Sequence, residues 1–183
     1  MTPMHLIPQA LSPAECDSLV ALCAEAPKKD AGLVRATTSH QIRRADLVWL
    51  DDLPQAAWVM ERMMRLVAQA NREAFGFDLE EFAESPQVAR YGAERQGHFD
   101  WHSDIGAGAL ASKRKLTIVV QLSDPADYQG GTLDLRPDSN LREAPRDRGT
   151  AVIFPSFVLH RVTPVTQGTR WSLTLWSHGP AFR

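Results

Sequence analysis

The chain has 183 residues, of which 44% are hydrophobic and 23% charged, and a formal net charge of -2. That length and balance suit one soluble globular domain with a sizeable core. They exclude a polybasic nucleic-acid or membrane-surface binder, and no apolar run is long enough to span a bilayer.

Residues 3–11 read as a short extended lead-in. Ser12, Pro13 and Glu15 then have the form of a capping box with proline at the first helical position. The helix that follows carries Leu19, Val20, Leu22 and Cys23 on one face and is expected to stop before Pro27. Cys16 and Cys23 fall in this helix two turns apart. Their Cα atoms would be about 10 Å apart, which is too far for a disulfide. Both are expected as buried thiols in a reducing compartment, the cytoplasm. No cationic start followed by an apolar run marks a secretory signal.

Residues 28–46 are polar and mixed, with no clear element. Arg35, Arg43 and Arg44 there would suit contact with an acidic substrate; a solvated loop is the other reading. Residues 52–55 then form a second helix start, D-L-P-Q. Trp58, Met60, Met63, Met64, Val67, Ala70 and Phe75 recur at helical spacing, with Gly76 placed as the stop. This stripe is read as core.

From about residue 86 the period changes. Residues 88–91, 115–122, 131–136, 149–154 and 170–176 read as strands separated by Gly, Pro, Asp or Asn turns. Helices followed by a run of strands predict an α+β fold, with the helices packed on one sheet of an antiparallel sandwich or barrel. Residues 1–183 are read as one domain, 1–85 as helical support and 86–178 as the barrel core. In the last strand Arg170, Ser172, Thr174 and Trp176 share one face, and Trp171, Leu173 and Leu175 share the other. Leu116, Ile118, Val120 and Leu122 alternate in the same way with Thr117, Val119, Gln121 and Ser123. Two strands therefore point to a barrel whose interior is lined with polar groups, as a ligand cavity would be.

Residues 97–104, G-H-F-D-W-H-S-D, contain two H-x-D triplets, His98 with Asp100 and His102 with Asp104. Alternation alone would put all four on one strand face, with i and i+2 about 6.6 Å apart. One metal can hold both members of a triplet only if the backbone bends after the histidine. Residues 105–108, I-G-A-G, permit such a turn after Asp104, so spacing favours the second triplet. His160 ends an apolar segment and is the natural third ligand; a core histidine bonded to a backbone carbonyl is the alternative. Two histidines and one carboxylate with open positions form the ligand set of non-haem Fe(II) oxygenases. His5, His40 and His178 have no partner in sequence and are read as surface or structural.

Taken together, five stretches resemble the Fe(II)- and 2-oxoglutarate-dependent dioxygenases, in the prolyl 4-hydroxylase-like branch that includes PKHD-type hydroxylases. They are Tyr91 with Gly97, Phe99, His102 and Asp104; residues 122–133; residues 154–156; residues 160–165; and residues 168–170. The family's metal histidine lies three residues after an aromatic, as His102 follows Phe99, so the resemblance selects the second triplet. It implies a double-stranded β-helix, a jelly-roll or cupin-like barrel with the N-terminal helices on its major sheet. It implies Fe(II) on His102, Asp104 and His160, with no catalytic residue beyond these ligands. It implies that Arg170 pairs with the distal carboxylate of 2-oxoglutarate, with Tyr91, Thr174 and Gln121 beside the cosubstrate. Gln121 stands where some relatives have a tyrosine. Trp176 and Arg43 are candidates for contact with substrate. Oxygen is the second cosubstrate, and ascorbate is compatible as reductant. The reaction implied is hydroxylation of an unactivated C–H bond, with release of succinate and carbon dioxide. A prolyl residue in a peptide or protein leads the candidate substrates, followed by a free amino acid or small metabolite. Two rival readings are a non-catalytic binding module and a cupin-like metal enzyme without cosubstrate. The second gives Arg170 no role.

Overall fold

The computed structural model describes residues 3–30, 33–34, 37–38 and 41–182. Arg35 and His40 lie outside the described residues. In chain order the first strands are β1 (His5–Ile7), β2 (Lys29–Asp30), β3 (Leu33–Val34), β4 (Thr37–Thr38), β5 (Arg43–Arg44), β6 (Asp46–Trp49), β7 (Gln87–Gly92) and β8 (His98–His102). They continue as β9 (Arg114–Gln121), β10 (Tyr128–Gly130), β11 (Leu133–Arg136), β12 (Arg142–Glu143), β13 (Ala151–Pro155), β14 (Leu159–Val162) and β15 (Val165–His178). Two α-helices, α1 (Pro13–Glu25) and α2 (Trp58–Ala70), lie among the first six strands and before β7.

Two antiparallel sheets face each other. The larger runs β1-β13-β9-β15-β7-β6-β2, with β10 paired to the start of β15. The smaller runs β12-β11-β14-β8-β5, and β3 with β4 makes a separate hairpin. One core cluster lies between the sheets, joining Tyr91, Val119 and Phe154 to Leu133, Leu135 and Val162. The other lies between the outer face of the larger sheet and the helices. This is the α+β double-stranded β-helix that the sequence suggested.

The helices form for the expected reasons, with two exceptions. Ser12 caps α1 in a complete capping box: Glu15 N donates to Ser12 Oγ at 3.1 Å and Ser12 N donates to Glu15 Oε2 at 2.9 Å. Cys16, Leu19 and Cys23 are its buried face, and burial pushes both thiols up to about 11. Such thiols are inert. The first exception concerns Asp52, which does not cap α2. Two 3-10 turns, Leu50–Asp52 and Pro54–Ala56, come first, and Leu53 between them is extended, as a residue before proline prefers. The second is Met64, expected in the core stripe but exposed. It follows the buried Met63 by one residue, which turns it about 100° around the helix. Gly76 ends the helical run at φ +67°, in the left-handed conformation.

The strand alternation holds. Leu116, Ile118, Val120, Trp171, Leu173 and Leu175 pack under the helices, and Thr117, Arg170, Ser172, Thr174 and Trp176 face the space between the sheets. Missing from the sequence reading were β8 and β14, which carry the histidines, and the strands before residue 86. The lead-in supplies β1, and residues 43–49 supply β5 and β6, one in each sheet. The loop reading of Arg43 and Arg44 therefore gives way to an edge strand.

A partly buried ion group fastens the segment before β7 to the larger sheet. Glu84 Oε2 accepts from Arg114 Nε at 2.7 Å and lies 2.8 Å from His178 Nε2. His178, fully buried, accepts from Ala83 N at Nδ1, 3.3 Å away; it is structural but not at the surface. Burial alone would raise the Glu84 pKa, but Arg114 and His178 outweigh it and hold the carboxyl below its usual range. A carboxylate with a depressed folded pKa contributes stability above its unfolded pKa and loses that contribution as pH falls through the folded value. Glu84→Gln is therefore expected to lower stability at neutral pH by about 1–3 kcal/mol. The gap to wild type should close below about pH 4. Thermal melts of both proteins from neutral to acid pH check this, and a gap that stays constant would contradict it.

Candidate metal centre

β8 and β14 are neighbours in the smaller sheet, and their register sets His102 opposite His160. Two residues further along β14, Val162 pairs with Phe99, three residues back on β8. One extra residue is therefore accommodated in β8, a bulge. It breaks the alternation that would put His98, Asp100 and His102 on one face. Phe99 and His102 both turn into the space between the sheets, their rings stacked 3.4 Å apart. His98 turns away and lies 3.0 Å from Gln96 O and 3.1 Å from Gln41 O. Asp100 stays exposed and accepts from Trp101 N. The first triplet thus plays no part in the cluster.

After His102 the strand ends and the backbone bends, so that Asp104 N donates to Ser156 O at 2.9 Å. His102 Nε2 then lies 3.4 Å from Asp104 Oδ1, and His160 Nε2 lies 3.4 Å from Asp104 Oδ2. One donor atom from each residue falls within 4.8 Å of the other two. Donors held about 2.1 Å from one ion lie about 3 to 4 Å apart, so the spacing fits a single metal. Each histidine turns Nδ1 to a backbone carbonyl, His102 to Asp100 O at 2.7 Å and His160 to Val158 O at 2.9 Å. That contact fixes the tautomer and leaves the Nε2 lone pair facing Asp104. The carbonyl contact of His160 uses Nδ1 and leaves Nε2 on the side of Asp104, so the two sequence readings of His160 are compatible.

Asp104 is held from behind. Its Oδ2 accepts from Thr117 Oγ1 at 2.8 Å and from Trp176 Nε1 at 3.0 Å. Arg114 lies 3.8 Å over the Trp176 ring and donates Nη1 to Asp104 O at 3.0 Å. Burial alone would raise the Asp104 pKa; His160, His102 and Trp176 outweigh it and keep the carboxyl ionised well below its usual range. Burial pushes His160 the other way, towards the neutral ring. The hydrogen bonds from Trp176 and Thr117 do not depend on histidine charge.

Across the cavity sits Arg170 of β15, only 1% exposed. Its Nη2 donates to Gln121 Oε1 at 3.0 Å, and Gln121 in turn donates to Pro145 O at 3.0 Å. Arg170 Nε and Nη1 are buried with no hydrogen-bond partner among the described residues. Desolvation lowers its pKa, yet a guanidinium stays charged in a protein. Two unused donors on a buried cation call for an anion. Gly131 makes room: a Cβ there would lie 3.1 Å from Arg170 Cδ.

A cavity of about 50 Å³ separates the triad from this arginine. Tyr91, Thr174, Trp176 and Arg43 line it. Gln121 does not; it stands behind Arg170 and positions it. Sequence reasoning missed the roles of Thr117, Arg114 and Glu84. Alternation put Thr117 on the polar face, but nothing local showed its partner 13 residues away.

Residues 86–178 match the sequence model of the 2OG-Fe(II) oxygenase superfamily. The chain belongs to that superfamily. A PKHD-type hydroxylase of Hyphomonas neptunium is 34% identical over 98 residues, 51% of this chain and 42% of that protein. The matched stretch therefore spans less than half of that relative's length. A PKHD-type hydroxylase of Delftia acidovorans is 27% identical over 180 residues, 96% of this chain and 78% of that one. The crystal structure of a Pseudomonas putida prolyl-4-hydroxylase shares the fold, with TM-score 0.77 and 24% identity over 97% of this chain and 93% of that one. The superfamily's cofactors are Fe(II), 2-oxoglutarate and O2, and the donor set and the unsatisfied guanidinium of this cavity fit the first two.

Trp176→Phe keeps a ring under Arg114 and removes one hydrogen bond from Asp104. It is expected to weaken metal binding about tenfold to a hundredfold, and Thr117→Val to do the same. His98→Ala should leave metal affinity unchanged. Competition titration of a divalent metal against a chelator measures all three, and a large effect of His98→Ala would contradict the ligand geometry.

Proposed function

We propose that this chain is a Fe(II)- and 2-oxoglutarate-dependent hydroxylase of an amino-acid unit, with a prolyl residue as the leading substrate. The observation that carries the reading is Arg170, a buried guanidinium with two free donors on the cavity that His102, Asp104 and His160 close. A metal site alone would need no such cation. The names of the PKHD-type and prolyl-hydroxylase relatives support the amino-acid substrate. The reading takes residues 1–183 as one domain, supported by strands before residue 86 in both sheets. It places the chain in the cytoplasm, supported by the two unpaired buried thiols. No helix among the described residues is long and apolar enough to cross a membrane.

The geometry supports the following roles. His102 Nε2, His160 Nε2 and the Asp104 carboxylate would hold the iron at the edge of the cavity. The Nδ1 contacts to Asp100 O and Val158 O aim the imidazoles, and Thr117 with Trp176 fixes the carboxylate. Arg170 takes the distal carboxylate of 2-oxoglutarate through the fork that Gln121 leaves free. Tyr91 and Thr174 wall that end of the cavity, and Phe99, Val119, Leu133 and Val162 exclude water. When bound, Fe(II) with 2-oxoglutarate supplies oxidative decarboxylation to succinate and carbon dioxide and the O2 chemistry that hydroxylates a C–H bond. No general base or nucleophile is required of the protein.

Anaerobic titration with Fe(II) and 2-oxoglutarate should give the weak visible charge-transfer band of the chelate. His160→Ala should abolish it. Arg170→Ala should raise the 2-oxoglutarate Kd about a hundredfold with metal still bound. Metal binding without the band would overturn the hydroxylase reading in favour of a binding module, and an unchanged Kd in Arg170→Ala would overturn the role of that residue.

A further inference from the structure

We infer that Arg43 anchors a carboxylate of the substrate, so that the hydroxylated molecule carries its acid group close to the oxidised carbon. This rests on the Fe(II) and 2-oxoglutarate reading and adds the substrate class to it.

Arg43 belongs to β5, the edge of the smaller sheet, and its backbone is pinned there. It pairs with Phe99, Arg44 pairs with His98, and Asp100 N donates to Ile42 O at 2.7 Å. The guanidinium lies 4.3 Å from the centre of the Phe99 ring, whose other neighbour is the His102 ring at 3.4 Å. Arg43 is therefore two stacked layers from a metal ligand and faces the same cavity. Arg43 Nε is buried with no hydrogen-bond partner among the described residues. Arg44 beside it is used differently, donating to Arg95 O.

Charge balance points the same way. The cavity walls carry two guanidiniums, Arg43 and Arg170, against one carboxylate, Asp104. Fe(II) and the 2-oxoglutarate dianion cancel each other's charge. Asp104 offsets one arginine and the other is left over. Arg170 is deep and meets the cosubstrate, so the uncompensated charge is at Arg43, which is half-buried. A cation losing water without a partner is costly. An anion arriving with the substrate removes that cost. Stacking on Phe99 occupies the guanidinium face and leaves its edge donors free. Those donors lie in one plane and match a carboxylate bidentately. The acid has two sources, the α-carboxylate of a free amino acid or an aspartate or glutamate side chain in a peptide.

The test uses the full chain loaded anaerobically with Fe(II) and 2-oxoglutarate, the charge-transfer band being recorded first. Calorimetry then compares free L-α-amino acids with their C-terminal amides, and end-blocked prolyl peptides containing Asp with the same peptides containing Asn. The expected result is that one acid of either set binds and its neutral counterpart does not. Binding by free acids identifies a small-molecule substrate, and binding by blocked Asp peptides an acidic peptide. Arg43→Gln should weaken that acid about tenfold to a hundredfold while the band and the 2-oxoglutarate Kd persist. Arg43→Lys should recover part of the loss. If no acid binds although the band forms, or if neutral probes bind equally well, the assignment of Arg43 fails alone. Loss of 2-oxoglutarate binding in Arg43→Gln also overturns it, since Arg43 would then serve the cosubstrate. Absence of the band in wild type overturns the underlying reading instead.

Discussion

The site depends on one extra residue in β8. Antiparallel pairing fixes His160 opposite His102 and Val162 opposite Phe99, and only a bulge lets both pairs form. It turns Phe99 and His102 to the same side, where alternation would separate them. The aromatic ring then backs the imidazole and carries Arg43 on its other face. Where the strand ends, the bend that brings Asp104 to Ser156 O completes the triad. Strict alternation would leave His98, Asp100, His102 and Asp104 aligned on one face about 6.6 Å apart, with no aromatic floor and His102 and Asp104 too far apart to share an ion.

Electrostatics give the cavity two ends of different kinds. At one end a carboxylate is stabilised by donors that carry no charge, Thr117 Oγ1 and Trp176 Nε1, with the charged Arg114 bound behind the tryptophan to Glu84. At the other end a guanidinium is left with unused donors, held in place by a neutral amide. One end is arranged to take a cation and the other an anion. A dicarboxylate that chelates a metal at one end and meets an arginine at the other satisfies both. Both ends are built on long strands, β9 and β15, that continue into the helix-packed core. Helix packing thus holds the arginine rigidly against the smaller sheet that carries the histidines.

Much of this was legible in the sequence because it is written in local pattern. The capping box at Ser12, the strand alternation around Thr117 and Arg170, and the glycine stop at Gly76 all follow from neighbours within a few residues. The ordered residues Phe99, His102, Asp104, His160 and Arg170 were legible as a resemblance. Less visible were β5 and β8, whose mixed polar residues show no period once a bulge interrupts them. Met64 was misplaced by a single turn increment, and the contact of Gln121 with Arg170 was not anticipated.

By itself the sequence determined the fold class, the candidate ligands and the buried arginine, because hydrophobic period and residue chemistry act over short distances along the chain. Only the tertiary structure decided how the second triplet meets His160, what holds Asp104 in place and where Arg43 points. Those outcomes rest on sheet register and on contacts between residues far apart in sequence. A register shifted by one residue would send every side chain of a strand to the opposite face.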